Sequence, residues 1–363
     1  MTDLQFNYPS LPAEAKILQD YLTQLSLGEL NALLAFPPVQ GKIAYPKALG
    51  DLLNVHWEEL SATDDLVICN SANHALTCIL QSLRGVHEKI IAEAFTFTAF
   101  KMIAQESGYE LLPATMDSEG ATVESIAALV QSTGAKLLYL QPTIQNPTCA
   151  VMSLERRLEL VALTREKDLL IIEDDAYRFL HPDPPPSFLE LAPERTLHIY
   201  SLSKPFNPLI KVAFVLAPKA FSAGIIEKVR LTSSGASSLL THIANHLLAS
   251  GVLTALIKQK QQEATCRQQL AKSILGALFY QTAPTSFHLW LQLPAGVSAL
   301  DVASRLSNQD IKVAAGADFA IVPEQGASCL RIALGAENNL ERLAAALQGV
   351  YTTVTSMMVG QPE

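Results

Sequence analysis

The sequence predicts an α/β protein, with a large domain on a seven-stranded, mostly parallel sheet and a smaller α+β domain after it. Three observations carry that prediction. From residue 65 the chain alternates short apolar runs with stretches of helical periodicity. The runs are continuous rather than alternating, which is the pattern of strands buried on both faces. After residue 217 the pattern turns helical, and strand-like runs return only late in the chain.

The elements follow in order. Ile17, Leu18, Tyr21, Leu22 and Leu25 fall at helical spacing within residues 11–25. Ser26-Leu27-Gly28-Glu29 has capping-box spacing and opens a second helix, which Pro37-Pro38 stops. Apolar runs at 66–69, 89–92, 110–114, 136–140, 168–172, 196–200 and 212–216 predict the seven strands. Helical stretches at 72–84, 97–107, 122–132 and 153–167 separate the first five. A long polar-apolar stretch over 238–278 is helical. Runs at 287–293 and 329–334 read as strands, with helices near 298–308 and 338–353. We expect an N-terminal segment, 1–45, that packs with the small domain, a large domain over 46–250 and a small domain over 251–363.

Of the 363 residues, 49% are apolar and 17% charged, the balance of a well-buried chain rather than a disordered one. A net charge of −9 argues against a nucleic-acid surface. Cys69, Cys78, Cys149, Cys266 and Cys329 lie far apart with no CxxC pair, so they read as reduced thiols. The opening MTDLQFNYPS lacks the basic and apolar regions of a signal peptide, and no apolar run reaches membrane-spanning length. The expectation is a soluble cytoplasmic protein with neither a membrane nor a nucleic-acid partner.

Open α/β sheets bind ligands at the carboxyl ends of their strands. There Asn146-Pro147 ends one strand, Asp174-Asp175-Ala176-Tyr177 the next, and Ser201-Leu202-Ser203-Lys204 a third. Lysine is costly to bury unpaired. Taken singly, Lys204 also reads as an ordinary loop lysine, Asp174 as a strand-end turn residue and Asn146-Pro147 as a turn. Their combination is more specific, with Asn-Pro-Thr placed 28 residues before Asp-Asp-Ala-Tyr. His242 and His246 sit four apart on a helix, but no carboxylate motif accompanies them and no metal is expected.

Through these motifs the chain resembles the fold-type-I pyridoxal-phosphate enzymes, the aspartate aminotransferase superfamily. It looks most like the aminotransferase-like domain of MocR-type proteins, from about Phe36 to about Leu334. The resemblance implies fold type I, pyridoxal 5'-phosphate as cofactor and a homodimer. It implies that Lys204 forms the aldimine and shuttles the substrate proton, and that Asp174 pairs with the pyridine nitrogen. Tyr177 and Asn146 would donate to the ring oxygen, and Phe97 would stack on the ring. Ser71, Ala72 and Asn73, at a helix start, and Ser201 would hold the phosphate. Arg331 would grip the substrate α-carboxylate with two prongs.

The sequence departs from the family in places. Phe36-Pro37-Pro38-Val39-Gln40-Gly41 lies where the family has a tyrosine that reaches the partner subunit's phosphate. Lys211 stands where the family has a phosphate-binding arginine. We expect no counterpart here of the winged-helix DNA-binding domain that MocR proteins carry ahead of this region. The expected activity is transfer of an amino group between an amino acid and a 2-oxo acid. A decarboxylase, lyase or cyclase of a biosynthetic pathway shares the same cofactor anchors, and a non-catalytic sensor that binds the cofactor is a further alternative.

Overall fold

A computed structural model of the chain describes residues 1–35, 38–39 and 46–359. Phe36 and Gly41, to which the resemblance gives a role across the subunit boundary, lie outside the described residues.

Seven strands form the central sheet: β1 Asp64–Cys69, β2 Lys89–Glu93, β3 Glu110–Ala114, β4 Leu137–Leu140, β5 Leu170–Asp174, β6 Thr196–Ser201 and β7 Ala213–Pro218. Their spatial order is β1-β7-β6-β5-β4-β2-β3, and β7 alone runs against its neighbours. All seven lie where apolar runs predicted them. β5 starts two residues later than its run, because Asp168 takes a left-handed φ of 53° and ends the preceding helix.

Successive residues of a strand point to opposite faces, and both faces here are covered. Leu137, Tyr139, Leu170, Ile172, Leu197 and Ile199 join one buried cluster. Leu138, Leu140 and Ile171 join another on the opposite side. This is why the strands read as continuous apolar runs.

Fourteen helices pack around the sheets of the described chain. The first eight are α1 Ala13–Leu22, α2 Leu27–Leu33, α3 Pro46–Leu53, α4 Trp57–Thr63, α5 Ala72–Leu83, α6 Thr98–Glu106, α7 Val123–Thr133 and α8 Leu154–Lys167. Side chains at their starts satisfy amides that the helix cannot. Ser26 and Glu29 close the expected capping box, and Ser71, Thr122 and Ser153 cap α5, α7 and α8. The others are α9 Phe188–Leu191, α10 Lys219–Ser233, α11 Ser238–Ala249, α12 Val252–Leu275, α13 Ala299–Ser307 and α14 Leu340–Val359. The helical stretch expected over 238–278 is thus two helices. They meet at 78° around Gly251, whose φ of 72° suits a residue without a Cβ. Among the described residues no single helix is long and apolar enough to cross a membrane.

The late strands are β8 Tyr280–Gln281, β9 His288–Gln292, β10 Ala314–Ala315 and β11 Cys329–Ala333, an antiparallel sheet ordered β8-β9-β11-β10. Residues Thr2–Asp3 pair in parallel with Ile311–Lys312, and Leu4 enters the core of this smaller unit. Helix α1 instead lays Ile17, Leu18 and Tyr21 on a cluster containing Phe206, Leu253 and Leu256. The segment between, residues 5–9, crosses from one unit to the other over the ends of the large sheet.

Candidate active site

At the carboxyl ends of the parallel strands lies a cavity of about 260 Å³. All ten residues assigned to the cofactor line it: Ser71, Ala72, Asn73, Phe97, Asn146, Asp174, Tyr177, Ser201, Lys204 and Lys211. A second cavity of about 320 Å³ lies beside Arg178, His181 and Tyr200 and contains none of them.

Each residue is set by the element behind it. Ser71 ends the turn after β1, and its hydroxyl accepts from His74 N at 3.1 Å, which points the first amides of α5 at the cavity. Phe97 precedes α6 as its N-cap residue. The loop bearing Asn146 is held by Arg157, which is fully buried. Arg157 donates Nε to Met152 O (3.0 Å), Nη1 to Pro186 O (3.0 Å), and Nη2 to Pro142 O (2.8 Å) and Thr143 Oγ1 (2.9 Å). A rigid fork of donors matched to carbonyls compensates for burying that charge.

Asp174 closes β5 and is buried. Its Oδ2 accepts from Tyr139 Oη at 2.7 Å and Gln141 Nε2 at 3.1 Å, while its Oδ1 has no hydrogen-bond partner among the described residues. Burial raises its pKa, and the two donors, with the backbone amide of Ala176, oppose that rise. An orphaned carboxylate oxygen in a cavity calls for a donor from a ligand. A protonated ring nitrogen supplies one.

Glu173 and Asp175 point to the other face. Glu173 accepts from Phe188 N and Leu189 N, each at 3.0 Å, and lies 3.1 Å from His198 Nδ1. Burial disfavours charge on His198, but Glu173 and Asp175 outweigh it and raise its pKa. These three side chains bring ligand atoms within 4.8 Å of one another. The two amides serve Glu173, and Asp175, whose oxygens have no hydrogen-bond partner among the described residues, forms an ion pair with the Arg178 guanidinium at 3.6 Å, so the cluster reads as an ion network. His242 and His246 pack on Tyr21, with His246 stacked at 3.8 Å.

Lys204 follows β6. Its Nζ donates to Asn7 O at 2.7 Å and lies 4.3 Å from the Tyr8 ring centroid. Burial and the nearby Arg331 guanidinium push the amine down to about 7. Lys260, buried on α12, donates to Lys204 O (3.0 Å) and Phe206 O (2.6 Å) and pairs with Glu14 at 2.8 Å. The turn bearing Lys204 is therefore tied to both α1 and α12. Ser201 Oγ accepts from Ser203 N at 3.2 Å, and Lys211 sits exposed at the cavity edge.

Arg331 lies on β11 between Trp290 and Ala314 and is buried. Its Nη1 donates to Asn146 Oδ1 at 2.9 Å and its Nη2 to Gln5 O. Its Nε has no partner, and the guanidinium carbon is 4.7 Å from the Phe319 ring centroid. Burial raises the Tyr177 pKa, which keeps its phenol protonated and able to donate. Tyr139, Gln141, Ser203 and Tyr8 also belong to the site. Sequence reading missed them: a tyrosine inside an apolar run reads as core, and Tyr8 arrives from the far end of the chain.

The fold and these residues define the class of fold-type-I pyridoxal-phosphate proteins: an orphaned acid, a neutral-leaning lysine and a helix start converge on one cavity and fit that cofactor. A family model described as aminotransferase class I and II matches residues 1–347, and the chain belongs to that family. It is 24% identical over 287 residues to YdeF, an uncharacterized HTH-type transcriptional regulator of Bacillus subtilis, covering 79% of this chain and 62% of that one. It is 24% identical over 343 residues to the 2-aminoadipate transaminase of Thermus thermophilus, covering 88% and 83%. The chain thus spans less than two thirds of the regulator's length. Among solved structures, the kynurenine aminotransferase of Pyrococcus horikoshii matches with a TM-score of 0.89 at 18% identity, over 99% of this chain and 91% of that one. LysN, the α-aminoadipate aminotransferase of Thermus thermophilus, complexed with N-(5'-phosphopyridoxyl)-L-leucine, matches with 0.87 at 20%, over 99% and 93%.

Proposed function

We propose that this chain is a pyridoxal-phosphate-dependent aminotransferase that moves an amino group between an amino acid and a 2-oxo acid. The observation that carries the reading is the convergence of Lys204 and Asp174 on one cavity, where Asn146, also in its lining, is held by Arg331 at 2.9 Å. When bound, pyridoxal phosphate supplies an electron sink for bond breaking at the substrate α-carbon.

The chain's own residues divide the remaining work. Asp174 Oδ1 would accept from the cofactor's ring nitrogen and hold its proton in place. Asn146 Oδ1 is taken by Arg331, which leaves its Nδ2 free to donate beside the Tyr177 hydroxyl towards the ring oxygen. Phe97 would cover one ring face, and Ser71, Ala72, Asn73, Ser201 and Lys211 would hold the phosphate. Lys204 Nζ would hold the cofactor until the substrate's amine displaces it, and the freed amine would then take the proton from the substrate α-carbon and return it on the other side of the transfer. A group leaning to neutrality near pH 7 suits that exchange. Arg331 binds the α-carboxylate after Gln5 O leaves Nη2.

We further propose a cytoplasmic homodimer, divided into an N-terminal segment, 1–45, a large domain, 46–250, and a small domain, 251–363. Helix α2 buries none of its side chains and exposes Leu27 and Leu30, with Leu34 just beyond it, an apolar face that a second copy would cover. Five free cysteines fit a reducing compartment. The net charge of −9 gives no footprint for nucleic acid.

The test is a screen of amino donors against the loaded protein, followed by its visible absorbance. Conversion of the cofactor to its amine form, with release of one 2-oxo acid, supports transamination. Carbon dioxide release or elimination with the cofactor unchanged would place the chain among decarboxylases or lyases. Binding without turnover of any donor would make it a sensor.

A further inference from the structure

A buried carboxylate with both oxygens alike has no reason to present one of them to a ligand. Asp174 is not in that state. Two donors converge on Oδ2, and Oδ1 has no hydrogen-bond partner among the described residues. The shorter of the two contacts comes from Tyr139, on the neighbouring strand β4, at 2.7 Å. Tyr139 is fully buried, and its ring stacks on Phe100 with centroids 3.5 Å apart and planes 5° apart. Its hydroxyl therefore approaches Asp174 along a fixed line. Gln141, two residues on, reaches the same oxygen, and its own amide N donates to Glu93 Oε2 at 3.1 Å.

We propose that Tyr139 is a positioning residue that tethers Asp174 Oδ2, so that Oδ1 is the oxygen offered to the cofactor's ring nitrogen and the carboxylate stays ionised. The proposal rests on the aminotransferase reading and adds a residue to it. A hydrogen bond to a charged acceptor counters the burial that would otherwise neutralise the acid. The phenol is a dependable donor, because burial and Asp174 itself hold its pKa well above the ordinary value. The ionisable groups facing Asp174 are Glu93 on β2, Tyr139 on β4, Tyr177 three residues after it, His198 on β6 and Lys204 beyond it. Of these, Tyr139 alone touches it with a proton to give among the described hydrogen bonds.

The test compares wild type with Tyr139→Phe, both loaded with pyridoxal phosphate. The substitution keeps the ring and its stack on Phe100 and removes only the hydroxyl. A less firmly ionised Asp174 leaves less positive charge on the ring nitrogen. The nitrogen joining Lys204 to the cofactor then holds its proton to higher pH. The titration midpoint of the visible band should rise by about one unit, and kcat should fall about 10- to 100-fold while KM for the donor changes little. A residue that only fills space would leave the midpoint where it was. An unmoved midpoint with a normal kcat overturns the proposal. Gln141→Met, which removes the other donor to Oδ2, should move the midpoint in the same direction by less. If Tyr139→Phe does not fold, an unmoved midpoint in Gln141→Met overturns the proposal in its place. A wild-type protein that shows no visible cofactor band overturns this proposal and the aminotransferase reading together. A wild-type band with unmoved variants sinks only the role of Tyr139.

Discussion

Arg331 Nη1 donates to Asn146 Oδ1 at 2.9 Å, joining a strand of the small sheet to a loop of the large one. That contact does two things at once. It fixes the face that the Asn146 amide turns to the cavity, and it holds a buried guanidinium whose second prong rests only on the backbone carbonyl of Gln5. A carboxylate arriving from solvent would replace a neutral acceptor with a charged one.

Replacing Arg331 by lysine keeps the charge and loses the fork. Donor affinity should weaken about 10- to 100-fold, the size of one charged hydrogen bond, while the cofactor's visible band stays near its wild-type position. Donor KM and the band, measured side by side, check this. An unchanged KM would make Arg331 a structural residue.

Lys204 has a depressed value of about 7, so it is neutral above that pH and charged below it. Only the neutral amine attacks an aldehyde. Reconstitution of apo-protein with pyridoxal phosphate should therefore quicken as pH rises through about 7, then level off. Stopped-flow absorbance from pH 5.5 to 9 measures it. A rate still climbing towards pH 10 would mean that the amine has an ordinary lysine value.

At the phosphate end, Lys211 is exposed on the cavity edge and offers a single ammonium where the family places an arginine. Lys211→Ala should cost about 1.5–3 kcal/mol of cofactor affinity, the range for a hydrogen bond to a charged group. Lys211→Arg should match or exceed wild type. Equilibrium titration of the three apo-proteins separates these cases. An alanine variant that binds as wild type does would remove Lys211 from the phosphate site.

Glu93 is fully enclosed, and burial raises its pKa from 4.5 to about 8. The folded state thus holds a proton that the unfolded chain gives up between those values. Its contribution to stability is complete below about 4.5 and is lost as pH rises through about 8. Glu93→Gln keeps an oxygen for Gln141 N and Gln145 Nε2 and has no proton to lose. The variant should gain on wild type as pH rises from 5 to 8.5. Melting temperatures at both pH values show whether the gap opens.

Much of this was legible in the sequence, and for definite reasons. The seven strands announced themselves because both faces of the sheet are buried, as Leu138 and Tyr139 show by entering opposite clusters. The gathering of Asn146, Asp174 and Lys204 at one cavity was legible because Asp174 ends β5 while Asn146 and Lys204 follow the ends of β4 and β6 by six and three residues, where chain direction dictates the site. Other features depend on meetings that no local pattern encodes. Lys260 pairs with Glu14 across most of the chain, and Asn7 O reaches Lys204 from the N-terminal segment. Tyr139 was hidden for the opposite reason. Its ring does the work of a core residue, and nothing in an apolar run marks its hydroxyl as facing Asp174.

The central claim is that Lys204 holds pyridoxal phosphate in this cavity. Borohydride reduction of the loaded protein, followed by digestion and peptide mass spectrometry, tests it most directly. One phosphopyridoxyl group per chain is expected, on the peptide containing Ser201 to Lys211 and assigned by fragmentation to Lys204. A label on another lysine, or no label on a protein that has taken up the cofactor, would contradict it.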